Sequence, residues 1–280
     1  NLVQASHVAD SIKNSGIPEL TIVSSDNMTR LESELNKAIK VEIVIKDSYD
    51  HPWCQTIRQI WRKEIDADED IPVCASLNKL INDLKKTEKI RSKFLDTPIE
   101  LPPDAELDDK FVAAVKQRAS SKRSLFGMIG KKDIKTKLDQ VKIEGVAPSI
   151  DEHWGKIDAY IDLLMEVRKI VTRWNSLREE FNGPTTNDAG TAAISFLKKV
   201  CQKISNLRVV EHDFYPNYLA TIESLFPGNF NPHALKNDLS EFQRSVSVLK
   251  IHKKHNALKA AQNDKNLQLQ QLNSFSGPVV

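Results

Sequence analysis

A chain of 280 residues with 40% hydrophobic content is long enough to bury a substantial core. Its 40 basic and 38 acidic side chains leave a formal charge of +2, which excludes a global field pulling the molecule onto nucleic acid or an anionic membrane. Any such contact has to be local. Cys54, Cys74 and Cys201 are odd in number and follow no CxxC spacing, which argues against a disulfide framework or zinc knuckle and for a reducing cytoplasm.

The N-terminal quarter offers two readings. "LTIVSS" and "VEIVIKD" are rich in β-branched residues and could pair as short strands, yet the second continues the helical pattern of Met28, Leu31, Leu35 and Ala38. The helix reading has the edge. Leu77, Leu80, Leu84, Thr87, Arg91 and Phe94 then recur in steps of three and four, as on one face of a helix. A helix opening at "SIDEHW" is signalled by the capping-box spacing of Ser149 and Glu152. Its stripe runs through Trp154, Ile157, Ile161, Leu164, Val167, Val171, Trp174, Leu177 and Phe181. Asn182, Gly183 and Pro184 stop it, glycine permitting a left-handed cap. Ala193, Leu197, Val200, Ile204 and Leu207 form another stripe. A last helix is expected from about Pro232 to about Leu272, with Leu235, Leu239, Phe242, Val246 and Leu249 as its seam. Its end, "NALKAAQNDKNLQLQQLNSF", keeps helix propensity but has fewer large apolar residues, so it should stand exposed or pack on something else.

Only 9 glycines among 280 residues agree with this helical reading. The fold expected is all-α: an elongated antiparallel helical bundle or coiled-coil hairpin, with room for a short strand pair near the N-terminus. Three stretches are distinguished within what should be one continuous unit: 1–100 as an N-terminal helical segment, 101–150 as an acidic-then-basic connection, and 151–280 as a long-helix segment. No apolar run approaches the roughly 20 residues needed to cross a bilayer, so no membrane partner is expected. The opening "NLVQASHVAD" is no signal peptide, and the missing initiator methionine is expected of a piece of a longer protein or of processing.

Chemistry-bearing patterns are few. "GMIGKKD" opens with two glycines and two lysines, but a phosphate-cradling Walker loop needs four residues before its GK[ST] and a preceding strand. This stretch has neither, and a turn is the better account. His252 and His255 lie one helical turn apart with no carboxylate or cysteine to complete a metal site. Glu64, Asp66, Asp68, Glu69 and Asp70 lack the central glycine and terminal glutamate of a calcium loop. Trp154 and Trp174 could stack on bases, but both lie on the apolar stripe. No catalytic residue, metal ligand or cofactor site is expected. One local excess of charge stands out: ten basic residues against two acids between Lys110 and Lys142. It is a solvated face or a phosphate contact, and in the second case Arg123, Lys131, Lys132, Lys135 and Lys137 would carry it. "KIHKKHNALK" is a weaker second basic patch.

Residues 124 to 184 resemble a long helical insertion in the first motor domain of large bacterial superfamily I helicase-like ATPases. The resemblance is carried by Leu125 to Gly127, Gly130 to Lys131, Val141 to Pro148, Trp154, and Arg173 to Leu177, about a fifth of the chain. It implies a nonenzymatic accessory module that projects from a motor and contacts nucleic acid or a partner, with the rest of the parent protein as its first partner. The Walker loop, magnesium carboxylates and arginine finger of such a motor cannot be placed on this chain, so no catalytic residue carries over. A free-standing helical scaffold that binds other proteins is the competing expectation.

Overall fold

The computed structural model describes residues 25–67, 70–103, 107–120, 131–187, 191–225 and 239–274. The protein is all-α, with one short strand pair among the described residues. In chain order the elements are α1 (Ser25–Tyr49), α2 (Pro52–Ala67), α3 (Pro72–Arg91), β1 (Ile99–Glu100), α4 (Asp109–Ala119), α5 (Lys131–Asp139), β2 (Lys142–Ile143), α6 (Asp151–Leu177), α7 (Thr191–Val209), α8 (Tyr215–Leu225) and α9 (Leu239–Ser274). A π-helical turn, Val210–Phe214, lies between α7 and α8. "VEIVIKD" is helical within α1. The strand pair is made elsewhere, β1 running antiparallel to β2 with Ile99 opposite Ile143 and Glu100 opposite Lys142. The tight reversal after β2 places Glu144 and Gly145 at φ 53° and 79°, a left-handed geometry glycine adopts without steric cost.

The chain divides into two compact units. One holds α2 to α7, from His51 to Arg208; the other joins α1 to α8 and α9. Composition varies along the chain, whereas the second unit is closed by contacts between segments far apart in sequence.

In the α2–α7 unit, α3 packs on α6, and α4 and α5 pack together with α4 also on α6. Pro72 starts α3, where the missing N–H costs nothing. Asp108 caps α4, its Oδ1 accepting from Phe111 N at 2.8 Å. Leu107, Phe111, Val115, Leu138, Val141, Trp154, Ile157 and Ile161 close a core between α4, α5 and α6. The α6 stripe is buried as its spacing predicts, Trp174 completely. The details of its ends differ from expectation. Helix α6 starts one residue later than the capping box requires: Ile150 holds the cap position with no side-chain hydrogen bond, and the Ser149 N–H donates to His153 Nδ1 at 3.4 Å. At the other end Asn182, not Gly183, is the left-handed residue, with φ 58°. Gly183 is needed for space, since an added Cβ would sit 2.7 Å from the ring of Phe181. The chain then folds back on α6: the Trp174 indole N–H donates to Pro184 O at 2.8 Å and Asn175 Nδ2 to Thr186 O at 3.0 Å.

The second unit is held by Met28, Leu31, Leu35 and Ala38 of α1 against Tyr215, Tyr218, Ile222 and Leu225 of α8 and Phe242, Val246 and Leu249 of α9. Tyr218 meets Phe242 edge to face with ring centroids 5.9 Å apart. The Tyr215 hydroxyl donates to the buried Glu42 carboxylate.

Candidate interaction surfaces

The basic run of residues 110–142 is less available than its sequence suggests. Arg123 lies outside the described residues, as do Leu125, Phe126 and Ile129 of the glycine-lysine stretch. Lys131 and Lys132 begin α5, and Lys135 stands exposed on it. Lys137, on the same helix, is bound inward: its Nζ lies 3.1 Å from Asp108 Oδ2 and 3.9 Å from Asp133 Oδ2, and its side chain is 12% exposed. The Asp108 carboxylate serves two donors at once, the backbone N–H of Phe111 first and Lys137 second, and both hold it below the usual carboxylate range. Three more cations of the run are engaged. Lys116 meets Asp162 at 3.1 Å and Lys142 meets Glu100 at 3.1 Å, while the Arg118 guanidinium sits 4.7 Å over the Trp154 ring. Pairs this exposed are weak, but each sets a carboxylate beside a cation that phosphate would otherwise meet alone.

The second basic patch is the more available one. Helix α9 runs 36 residues, and its two halves have different surroundings. Phe242, Val246 and Leu249 are buried, and Lys253 Nζ lies 2.6 Å from Glu32 Oε2 of α1. From Lys254 to Ser274 every residue is exposed. Lys250, Lys254, Lys259 and Lys265 have no ion pair among the described residues. His252 is half-buried there; burial first, and then the neighbouring His255, lower its pKa and disfavour its charge.

Five large apolar residues stand exposed on α9 from Ile251 onward: Ile251 at 57%, Leu258 at 65%, Leu267 at 59%, Leu269 at 47% and Leu272 at 67%. At about 100° per residue all of them but Leu267 fall on the side of α9 opposite Phe242, Val246, Leu249 and Lys253. The face turned from the core is thus apolar, with lysines among its leucines. Sequence reasoning ranked this stretch below the run at 110–142; the signal it passed over was the spacing of the leucines.

Chemistry of other kinds finds little support in the geometry. Among the described residues no group of three or more histidines, cysteines or carboxylates is placed to hold a metal ion, and no helix is long and apolar enough to cross a membrane. Trp154 and Trp174 are core residues, at 6% and 0% exposure. Cys54, Cys74 and Cys201 are buried free thiols. Burial pushes all three up, to about 11, about 12 and about 12, so thiolate chemistry is suppressed. No family model, no curated protein and no solved structure matches this chain.

Proposed function

We propose that this chain is a nonenzymatic helical interaction module. The observation that carries the reading is α9: a single helix anchored through Phe242, Val246 and Leu249 holds out five further turns in which every residue is exposed. A helix exposed over that length, with large apolar residues aligned on it, fits a contact element. The resemblance of residues 124 to 184 suggests the larger assembly, a nucleic-acid-dependent ATPase of the superfamily I helicase-like class. In that setting the motor supplies the chemistry and this segment supplies contacts, to nucleic acid through Lys131, Lys132 and Lys135 or to a partner.

The engagement of Lys116, Lys137 and Lys142 by carboxylates favours the second reading, a free-standing adaptor with no nucleic acid in its function. Two titrations decide. Calorimetry with ATP and magnesium should give no heat of binding, and micromolar binding would overturn the nonenzymatic reading. Anisotropy with a labelled single-stranded oligonucleotide should give a dissociation constant on the order of 10⁻⁴ to 10⁻⁶ M that weakens steeply with salt. The triple change K131E/K132E/K135E should abolish it. No binding at low salt would transfer the assignment to the free-standing adaptor.

A further inference from the structure

Ile251, Leu258, Lys265 and Leu272 recur every seven residues along α9. Three residues before each stand Val248, His255, Gln262 and Leu269. These two interleaved series are the a and d positions of a heptad seam, the pattern by which one helix presents knobs to another. The seam is apolar at both ends and polar in the middle, and from Ile251 onward it faces away from the α1 and α8 core. Its positions flanking the seam carry Lys254 and Lys259. Between Lys250 and Ser274 there are five lysines and one acid, Asp264.

Resting on the interaction-module reading, we infer that α9 beyond Lys250 is one strand of a two-stranded coiled coil completed by an acidic amphipathic helix of another protein. The seven-residue spacing specifies a helix as the occupant, because only a second helix offers holes at that repeat. The charge specifies its sign. A second copy packed in parallel would set Lys265 against its own counterpart and Lys254 against Lys259, and like charges at such positions are disfavoured. Phosphate would satisfy the lysines but leave Ile251, Leu258, Leu269 and Leu272 against a hydrated backbone. Glutamates flanking a leucine seam would meet Lys254, Lys259 and Lys265 while the leucines fill the ends. The seam from Ile251 to Leu272 spans about 33 Å, three heptads, which suits a reversible contact.

The probe is a synthetic helical peptide of about four heptads, leucine at a and d and glutamate at e and g, with a matched lysine peptide as its counterpart. Fluorescence anisotropy with the full chain should show saturable binding of the acidic peptide, weakening with salt, and none of the lysine peptide. L258E/L269E should weaken binding by about 100-fold or more while leaving the circular dichroism unchanged, because both side chains are exposed. K254E/K259E should shift preference toward the lysine peptide. Equal binding of both peptides, or no binding of the acidic one, overturns the inference. A dimer in sedimentation that L258E/L269E dissolves, or a DNA duplex that binds through α9, overturns the acidic partner yet keeps α9 as a contact element. Absence of peptide binding, self-association and DNA binding together overturns the module reading as well.

Discussion

Trp174 concentrates the stability of the α2–α7 unit in one side chain. It is fully buried, meets Phe181 with ring centroids 5.7 Å apart, and gives its N–H to Pro184 O. Trp174→Ala should cost about 3 to 5 kcal/mol through lost transfer energy and the cavity left behind. The exposed neighbour Glu179→Ala should stay within about 0.5 kcal/mol. Urea denaturation of both variants checks the contrast, and equal midpoints would make the stripe something other than a core. Arg178 is a poorer surface control, because its Nη1 returns to Gly183 O at 3.4 Å. The thiols give a second residue-level expectation. Burial holds Cys54, Cys74 and Cys201 protonated, so an aromatic disulfide reagent at pH 8 should titrate none of them in the native protein and all three in denaturant.

Between elements, the clearest electrostatic tie is Glu88 of α3, which accepts from Arg91 at 2.8 Å on its own helix and from Lys198 of α7 at 3.2 Å. Arg91 first, against the opposing cost of burial, and then Lys198 pull its carboxyl from 4.5 to about 2. A depressed carboxyl stabilises the folded state fully above its unfolded pKa and less as protons bind. Stability from this cluster should therefore be present above pH 4.5 and fall away as pH drops towards 2. Acid titration of Glu88→Gln should show a shallower loss across that window, and an unchanged slope would remove Glu88 from the account.

What was legible at this scale followed the length of each signal. The α6 stripe could be read because eight apolar residues recur in steps of three and four within a helix of 27 residues. The strand pair could not, since each strand is two residues long and is fixed by the reversal at Glu144 and Gly145. The α9 seam was hidden for another reason: His255, Gln262 and Lys265 occupy its central layers, so a search for large apolar residues loses the repeat midway. Lys137 looked like an available cation because its partner Asp108 is 29 residues away.

At the scale of the molecule, the two units differ in how the chain builds them. The α2–α7 unit is continuous in sequence, whereas the other is assembled from α1 and from α8 and α9. No local pattern announces that pairing, because Glu42 and Tyr215, which join α1 to α8, are separated by 173 positions. Tyr215→Phe should remove one donor from the buried Glu42, at about 1 to 3 kcal/mol. Native-state hydrogen exchange should then quicken in α1, α8 and α9 as a group, since they share one core. Faster exchange confined to α8 would show that the three helices do not open together.

That separation also has a meaning in time. On the ribosome α1 emerges with its Leu31 and Leu35 face complete, but the Tyr215 and Phe242 faces that cover it have not been made. At about 5 to 20 residues per second the wait for Tyr215 alone is roughly 10 to 35 s. The α2–α7 segment, contiguous and rich in neighbouring-helix contacts, can fold within that interval. Helix α1 meanwhile remains an exposed amphipathic segment, so nascent chains should lean on a holding chaperone at this one helix until α8 and α9 arrive.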